Sequence, residues 1–285
     1  MATDSSADEP SPTRYPPSAL RSVRVVMSGA GKMGQEILRG LCREAEIEPV
    51  GVLEKFSQED MFSLPDGSGR LIPRSNDPAI LGRLRPDVLV DFSNHEWTAL
   101  VAPLAVQLGV RPVIGTTGLP DALVDQLEQE CAAAGLGGVV ASNFALGGVV
   151  LMHLARVAAP FFESAELIEL HHDQKVDAPS GTALSILQGM LDARGGRPFA
   201  YPETTKQTLP GTRGGEYGGA GVHSVRLPGL VAHHEVVFGG TGQTLTLRHD
   251  SISRESFLPG VVLALRAVMH RRDLVRGLDQ LLGLV

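Results

Sequence analysis

A short segment near the middle of the chain combines the side chains that proton transfer requires. His171 and His172 are adjacent, and Lys175 lies four residues after His171. Imidazoles exchange protons near neutral pH, and an ammonium group adds positive charge and a second source of protons. These three residues predict a cationic cluster that can transfer a proton to or from a substrate.

The same segment continues into a turn that suits an anion. Ser180, Gly181 and Thr182 precede a run of helix-forming residues, 183–191. Hydroxyl groups and the free N–H groups at the start of a helix bind carboxylates and phosphates. An ordinary turn and helix cap would use the same groups, so the structural and the functional interpretation are compatible. Next to the cationic cluster, this turn predicts a site for a small acid with more than one carboxylate.

Several residues of the segment also have a structural interpretation. A single histidine in a chain of 285 residues is usually structural, but two adjacent histidines followed by Lys175 favour catalysis. Asp177 is better explained as a turn-forming residue than as a catalyst. A zinc site would need a third ligand at strand or helix spacing, and the segment offers none, so no metal is predicted.

A glycine-rich turn earlier in the chain is typical of dinucleotide binding. Residues 23–27 are strand-forming and residues 35–44 are helix-forming. Between them, Gly29, Gly31 and Gly34 give the pattern G-x-G-x-x-G. The first glycine permits a tight turn, the second lets the backbone approach a pyrophosphate, and the third permits close packing of the helix on the strand.

An acidic residue follows at the position expected for binding the adenosine ribose. Residues 49–55 predict the second strand, and Glu54 near its end lies 25 residues after Gly29. A carboxylate there accepts hydrogen bonds from the free 2′-hydroxyl of NAD but repels the 2′-phosphate of NADP. The adjacent Lys55 can offset that repulsion, and Lys32 can add a further positive contact. The sequence therefore predicts that both NADH and NADPH are tolerated, although a solvated strand end would look similar.

Strands and helices continue to alternate up to about residue 145. This alternation predicts an α/β fold with a Rossmann-like, doubly wound parallel sheet, whose ligand lies beyond the carboxyl ends of the strands. The predicted elements are a strand over 86–93, a helix over 96–108, a strand over 111–118, a helix over 121–134 and a strand over 138–144.

The second half of the chain has a different pattern. Residues 222–227, 234–238 and 243–249 are alternating, closely connected runs, which predict a mostly antiparallel sheet. An apolar helix over 257–269 is expected to return to the first domain. We therefore predict a dinucleotide-binding domain over 23–145, completed by 250–285, and a second, α+β domain over 146–249. The glycine-rich stretch 213–219 is either a mobile loop over the site or a plain hairpin.

Composition limits the possible partners and location. The net charge is −7, from 25 Lys and Arg against 32 Asp and Glu, so a nucleic-acid partner has no electrostatic support. No apolar run is long enough for a membrane helix. Cys42 and Cys131 have no metal or redox spacing and are expected to be reduced, which favours a cytoplasmic protein. Residues 1–22 have no apolar core of a secretory signal and are rich in proline, serine and acids, which predicts a disordered tail.

Five features occur in the order found in one enzyme family. They are Lys32-Met33-Gly34, the acidic Glu54, the turn Gly115-Thr-Thr-Gly, the pair Asn143-Phe144, and the His-His…Lys…Ser-Gly-Thr segment. In these features, from about residue 23 to the end, the chain resembles the dihydrodipicolinate reductases (4-hydroxy-tetrahydrodipicolinate reductases) of lysine and diaminopimelate biosynthesis. The family's turn is often G-x-x-G-x-M-G, and the turn here is either one residue shorter or has Ser28 at the position of the first glycine.

The resemblance implies a role for individual residues. His171 is implied as a proton donor or acceptor and Lys175 as a proton donor. His172, Gly181 and Thr182 are implied to bind a small dicarboxylic substrate, with Ser180 of the predicted turn beside them. The resemblance also implies NADPH or NADH as cofactor, an open sheet in the substrate domain and a homotetramer formed through that sheet. With Ser28 and Lys55 added, the predicted cofactor contacts are Ser28, Gly29, Ala30, Gly31, Lys32, Met33, Glu54, Lys55, Gly115, Thr116, Thr117, Ala141, Ser142, Asn143 and Phe144.

These observations predict an oxidoreductase that uses NADPH or NADH to reduce a cyclic dicarboxylic imine. Another two-domain dehydrogenase, of the aspartate or homoserine type, is an alternative, but such enzymes lack the His-His…Lys…Ser-Gly-Thr segment. A dinucleotide-sensing binding protein without turnover is a second alternative. The complete set of proton-handling residues argues against it.

Overall fold

The computed structural model describes residues 22–284, and they form two compact units. The first unit contains the chain up to Ala141 and again from Val261, and the second contains Ser142–Gly260. The structure thus assigns residues 142–145 and 250–260 to the second unit, whereas the sequence interpretation placed them in the first. The tail predicted over 1–22 lies, apart from Ser22, outside the described residues.

The described chain alternates strands with helices over its first half and becomes strand-rich after α6. The strands are β1 (Val23–Ser28), β2 (Ile47–Leu53), β3 (Met61–Ser63), β4 (Leu71–Ser75), β5 (Val88–Asp91), β6 (Arg111–Ile114), β7 (Gly138–Val140), β8 (Ser164–His171), β9 (Gly215–Tyr217), β10 (Ala220–Arg226), β11 (Ala232–Gly240), β12 (Gln243–Ser251) and β13 (Leu274–Arg276). The helices are α1 (Lys32–Leu41), α2 (Ile80–Leu84), α3 (His95–Gln107), α4 (Asp121–Ala134), α5 (Leu146–Ala158), α6 (Gly181–Ala193) and α7 (Leu258–Val268), with 3-10 turns at Ala159–Phe161 and Arg254–Phe257.

The first unit is built on an eight-stranded sheet in the order β13-β7-β6-β5-β1-β2-β4-β3. All neighbouring strands are parallel except β3 and β4. The central strands are short apolar runs, and every residue of β5 is buried. Strands of this kind suit a parallel sheet because helices cover both of its faces. The prediction of a Rossmann-like, doubly wound sheet is confirmed.

The helices of the first unit enclose two apolar clusters. Val101 and Ala105 of α3 pack in a cluster with Val26 and Leu89, whereas Ala102 of the same helix belongs to the other cluster. Because α3 contributes to both, it is apolar around most of its circumference. The second cluster also contains Val106, Ile114, Val124, Leu127, Cys131, Leu136 and Leu274.

The second unit contains a five-stranded sheet in the order β12-β11-β8-β10-β9. Three of its four strand pairs are antiparallel, but β10 runs parallel to β8. The sequence predicted a mostly antiparallel sheet from the closely connected runs that form β10, β11 and β12. In the structure β8 lies between β10 and β11, because α6 connects β8 to β10 as a crossover, and such a connection joins parallel strands.

Helices α5 and α6 cover one face of this sheet. Residues of β8 alternate strictly between buried and half-buried, as expected for a strand with one covered face. The covered face carries Leu167 together with Glu169 and His171, which are also buried. The alternation therefore places two titratable side chains on the same side of the strand as the core. The helices and the sheet of this unit share an apolar core, which includes Leu151, Ala155, Leu167, Ile186, Leu187, Met190, Val222, Val236 and Phe238.

Candidate active site

The predicted proton-transfer histidine lies at the end of a central strand. His171 is the last residue of β8 and is 7% exposed. Its Nδ1 forms a short hydrogen bond with Oε2 of Glu169, two residues earlier and on the same face of the strand. When Nδ1–H donates to a carboxylate, Nε2 is left to exchange a proton with a substrate. The pair thus has the arrangement of a histidine oriented by an acid.

A half-buried arginine holds the carboxylate of this pair in its charged form. Arg226 donates from Nη2 to Oε1 of Glu169 at 2.8 Å and from Nη1 to Oε2 at 3.1 Å. Burial tends to raise the pKa of Glu169, but hydrogen bonds from His171, Arg226 and Ser224 outweigh it and hold the pKa at about 2. Arg226 also donates to the carbonyl oxygen of Asp177 at 2.5 Å, which ties the following loop to the strand.

A second buried histidine links His171 to the predicted anion-binding turn. The rings of His234 and His171 lie edge to face with centroids 5.4 Å apart. His234 Nε2 lies 3.2 Å from the hydroxyl of Ser180. Burial and the charge of His171 lower the pKa of His234 to about 4. His234 is therefore neutral near pH 7 and positions its neighbours rather than carrying a proton between them.

The loop after β8 holds the predicted lysine in an ion pair. Lys175 Nζ donates to Oδ1 of Asp177 at 2.6 Å, and this hydrogen bond is the main cause that lowers the pKa of Asp177. The backbone of Gly181 also contributes to lowering the pKa of Asp177. Asp177 thus does more than form a turn, because it joins the ammonium group to the start of α6. His172 is half-buried in the same loop.

The start of α6 has the form of an anion-binding helix end. Ser180 is its N-cap, and its hydroxyl accepts a hydrogen bond from the N–H of Ala183 at 3.1 Å. A Cβ added at Gly181 would meet no atom within 4 Å, so the backbone there is open to approach. Thr182 is half-buried beside it. In this unit the structure brings together His171, Ser180, Lys175 and Gly181 through His234 and Asp177.

The glycine-rich turn of the first unit fits a pyrophosphate. Gly29 has a φ of +87°, which favours glycine, and a Cβ at Gly34 would lie 1.9 Å from the carbonyl oxygen of Gly29. Gly31 is the N-cap of α1 and provides no side-chain cap, and a Cβ there would meet nothing within 4 Å. The N–H groups at the start of α1 are therefore open to an anion.

Residues around this turn divide into buried and exposed groups. Ser28 is fully buried, and its hydroxyl oxygen has no hydrogen-bond partner within residues 22–284. Ala30 is buried and Met33 half-buried, whereas Lys32 is exposed. Since α1 begins at Lys32, three residues earlier than predicted, Lys32 and Met33 belong to the first turn of the helix.

The acidic strand end has a partner that the sequence did not reveal. Glu54 forms a short ion pair with Arg74, which also donates to Glu59 at 2.8 Å. Lys55, expected to offset Glu54, instead lies with its Nζ 3.0 Å from Oε2 of Glu96. The cation that contacts Glu54 thus comes from β4, the neighbouring strand, rather than from the next residue.

The turn after β6 is anchored by a buried aspartate. The hydroxyl of Thr116 donates to Asp91 at 2.8 Å and accepts from the N–H of Ser93 at 2.9 Å, so this side chain points inward. A Cβ at Gly115 would lie 2.2 Å from the ring of Phe92, so close packing there requires glycine. Thr117 is exposed at the strand end. Of the two predicted hydroxyls, only that of Thr117 is free of this internal network.

The boundary between the two units along the chain falls within residues 141–144, which were predicted to contact the cofactor. Ala141 is the last residue of the first unit and is buried. Ser142 is exposed, and Asn143 accepts a hydrogen bond from the N–H of Ala145 at 2.9 Å. Phe144 is completely buried. The strand predicted over 138–144 ends at Val140, because Asn143 turns the chain into α5.

Three further features of residues 22–284 concern metal ligands, thiols and membrane-spanning helices. Between residues 22 and 284, no group of three or more His, Cys, Asp or Glu side chains is placed to hold a metal ion. Burial raises the pKa of Cys42 and of Cys131 to about 11, so neither thiol ionises readily. Over the same residues, no helix combines the length and apolar character that crossing a membrane demands.

Sequence reasoning missed the residues that hold the predicted ones in place. Glu169 lies two residues before His171, and residues at this spacing lie on the same face of a strand. The sequence alone could therefore have indicated Glu169 as a partner of His171. The partners from other elements carried no local signal. They are Arg74, Asp91, Arg226 and His234.

Known protein families and relatives match nearly the whole described chain. The family domain described as "Dihydrodipicolinate reductase, N-terminus" matches residues 23–144, and the one described as "Dihydrodipicolinate reductase, C-terminus" matches residues 147–282. A 4-hydroxy-tetrahydrodipicolinate reductase of Dehalococcoides mccartyi is 48% identical over 267 residues, covering 93% of this chain and 100% of the relative. One from Moorella thermoacetica is 45% identical over 268 residues, covering 92% and 99%.

Solved structures lead to the same family. The dipicolinate-bound dihydrodipicolinate reductase of Paenisporosarcina sp. TG-14 superimposes with a TM-score of 0.79 at 40% identity, covering 91% of this chain and 99% of that one. An amine dehydrogenase of Mycobacterium smegmatis, at 16% identity and a TM-score of 0.63 over 89% and 94% of the two chains, shares the fold alone. The family suggested by the sequence motifs is confirmed: this chain belongs to the dihydrodipicolinate reductases.

Proposed function

We propose that this chain reduces 4-hydroxy-tetrahydrodipicolinate to tetrahydrodipicolinate with NADPH or NADH, in lysine and diaminopimelate biosynthesis. The reaction takes up one hydride and one proton and releases the 4-hydroxyl group as water. The observation that carries the proposal is the Glu169–His171 pair at the end of β8, beside the Lys175 loop and the open start of α6. Relatives that bear this enzyme name, at up to 48% identity over nearly the whole chain, support it.

The second unit provides the acid–base groups and the substrate contacts. Ionised Glu169 favours the His171 tautomer with its proton on Nδ1 and leaves Nε2 to accept or donate a proton. Lys175 is a proton donor whose ammonium group also attracts a carboxylate. Ser180, Gly181 and Thr182 at the start of α6, with His172, bind the substrate carboxylates through hydroxyl and N–H groups. Asp177 pairs with Lys175, and the backbone of Gly181 helps to lower its pKa, which supports a carboxylate site at these two groups.

The first unit fits a dinucleotide. The open N–H groups at the start of α1 and the bare backbone of Gly31 suit a pyrophosphate, and Glu54 at the end of β2 suits the ribose. We propose that the dinucleotide also contacts the remaining residues implied by the family resemblance, together with Ser28 and Lys55. They are Ser28–Met33, Lys55, Gly115–Thr117 and Ala141–Phe144. When bound, the dinucleotide supplies the hydride. We propose that both NADH and NADPH serve, since Glu54 favours a free ribose hydroxyl and cations lie near it.

The assembly and location are proposals of the same kind. One face of the second sheet carries half-buried apolar residues, among them Ile168, Leu170 and Val237, on the side opposite to α5 and α6. Such a face suits pairing with a second copy, so we propose a homotetramer in the cytoplasm.

The test is an assay of NADPH and NADH oxidation with the substrate generated enzymatically. Turnover by the wild-type chain, and its loss in a folded His171→Ala variant, is the expected result. Dinucleotide binding without turnover of this substrate would contradict the proposal and favour a dinucleotide-sensing protein. Turnover of an unrelated carbonyl substrate instead would favour another two-domain dehydrogenase.

A further inference from the structure

Arg74 lies where the end of β4 meets the end of β2. In the parallel pairing of these strands, Arg74 is opposite Val52 and Ser75 is opposite Leu53. The N–H of Glu54 donates to the carbonyl oxygen of Ser75 at 3.0 Å, which continues the pairing beyond β2. The register therefore fixes Arg74 beside the carboxylate proposed to bind the adenosine ribose.

The guanidinium group of Arg74 is held between two acids and an aromatic ring. Nη2 forms the short ion pair with Glu54, and Nη1 donates to Glu59 at 2.8 Å. The Cζ atom lies 5.6 Å from the centre of the Phe62 ring. The side chain is only 18% exposed, and its Nε is buried without a hydrogen-bond partner in the part of the chain that the structure describes. These contacts hold Arg74 in one orientation, and its Nε–H makes no hydrogen bond within the described chain.

The other nearby cation is engaged elsewhere. Lys55 Nζ lies 3.0 Å from Glu96 and 5.5 Å from the centre of the Phe56 ring. An ammonium group is a point charge, whereas the planar guanidinium group binds a phosphate through two parallel hydrogen bonds. Arg74 is therefore better suited than Lys55 to recognise a phosphate next to Glu54.

We infer that Arg74 is the residue that distinguishes NADPH from NADH, an inference that rests on the proposed function. With NADH, Glu54 accepts hydrogen bonds from the ribose hydroxyls while Arg74 remains paired with it. With NADPH, the guanidinium group moves from Glu54 to the 2′-phosphate, and Glu59 keeps hold of Nη1. Glu54 alone would repel the phosphate, and the exchange of partners by Arg74 removes that repulsion. The same site then accepts both cofactors.

Binding titrations on the full chain test this inference without relying on activity. NADPH and NADH are titrated by their fluorescence, and 2′,5′-ADP is used as a competitor, for wild type and Arg74→Met. A matched control, Arg70→Met, removes a nearby positive charge from the turn between β3 and β4, where Arg70 pairs with Glu48 of β2 at 3.0 Å. Lys55→Met removes the other cation near Glu54 and tests whether that residue recognises the phosphate instead. A conservative Arg74→Lys variant keeps the positive charge but loses the planar guanidinium group that can form two parallel hydrogen bonds with a phosphate.

The expected result is selective. Loss of charge-assisted hydrogen bonds should weaken NADPH and 2′,5′-ADP binding on the order of tenfold to a hundredfold in Arg74→Met. NADH binding to Arg74→Met should change by less than about threefold, and so should the binding of all three ligands to Arg70→Met. Lys55→Met, which removes a proposed cofactor contact, should weaken NADPH binding less than Arg74→Met does. Arg74→Lys should restore part of the NADPH affinity, and the salt dependence of NADPH binding should become shallower in Arg74→Met.

Other outcomes would overturn the inference. Equal losses for NADH and NADPH in Arg74→Met would mean that Arg74 only holds Glu54, and unchanged NADPH binding would mean that it does not contact the phosphate. Selective loss in Lys55→Met would assign the role to Lys55. If wild type binds neither dinucleotide, the proposed function fails as well, whereas normal NADH binding with an Arg74-independent NADPH affinity refutes this inference alone.

Discussion

Lys175 Nζ lies 2.6 Å from Oδ1 of Asp177, two residues further along the same loop. The backbone of Gly181 at the start of α6 also contributes to lowering the pKa of Asp177. One internal carboxylate therefore joins the proposed proton donor to the proposed anion-binding helix end. A substrate carboxylate that reaches this position must share or replace the contacts of Asp177.

Replacing Lys175 with alanine removes a proton source and the partner of Asp177. Loss of one proton-transfer group should lower kcat by about 10²–10⁴-fold. The measurement is steady-state cofactor oxidation at saturating NADPH. The control is Lys206→Ala, which removes an exposed lysine of the same unit and should leave kcat unchanged. Near-normal turnover in a folded Lys175→Ala variant would show that Lys175 is not the proton donor.

Glu169 should stabilise the fold in a pH-dependent way. Its folded-state pKa of about 2 lies below the ordinary 4.5, so the stabilisation is complete above pH 4.5 and is lost as the pH falls towards 2. Glu169→Gln leaves Arg226 without its charged partner and should lower the free energy of unfolding at pH 7 by about 3–5 kcal/mol. The difference from wild type should shrink below pH 4.5 in urea titrations.

A matched variant checks the Glu169 prediction. Glu163→Gln alters an exposed acid that pairs with Arg197 at 3.1 Å in the same unit. It should change the free energy of unfolding by no more than about 0.5 kcal/mol. A similar small effect of Glu169→Gln would mean that the buried pair contributes little to stability.

His234 should make stability fall in mildly acidic solution. Its folded-state pKa of about 4 lies below the ordinary 6.5, so the unfolded chain takes up a proton first as the pH falls between these values. The wild-type free energy of unfolding should lose about 3 kcal/mol over this range through His234. His234→Gln should flatten the slope, whereas His95→Gln, at an exposed position, should keep it. Equal slopes in all three proteins would refute a buried neutral His234.

Two glycines of the dinucleotide turn should respond differently to alanine. A Cβ at Gly31 meets no protein atom within 4 Å, and its φ of −69° suits alanine, so Gly31→Ala should fold normally. Blocking the approach of a pyrophosphate should remove a charged hydrogen bond worth about 1.5–3 kcal/mol and weaken NADH binding tenfold or more. In contrast, Gly34→Ala places a Cβ 1.9 Å from the carbonyl oxygen of Gly29 and should lower the melting temperature. Unchanged NADH affinity in Gly31→Ala would place the pyrophosphate elsewhere.

Local chemistry in the sequence determined the fold class and the centre of the site. Helices and strands bury their apolar residues at different spacings, so the sequence pattern distinguishes one from the other. Strands that alternate with helices then predict a parallel sheet. The spacing of Gly29, Gly31 and Gly34 predicts the dinucleotide turn, and the structure shows the positive φ at Gly29 and the close packing at Gly34 that require glycine. His171, Lys175 and Ser180 lie within ten residues of one another, so no tertiary contact was needed to recognise them as a group.

Tertiary structure alone decided which side chains hold those residues in place. Arg226 reaches Glu169 across 57 residues and His234 reaches Ser180 across 54, because β8 lies between β10 and β11 in the sheet. Arg74 meets Glu54 only because β4 pairs with β2 in one particular register. Sheet order and register depend on the burial of whole faces and on crossover helices, which no single segment encodes. The partner of a charged residue on a strand can therefore be identified only once the order and register of the strands are known.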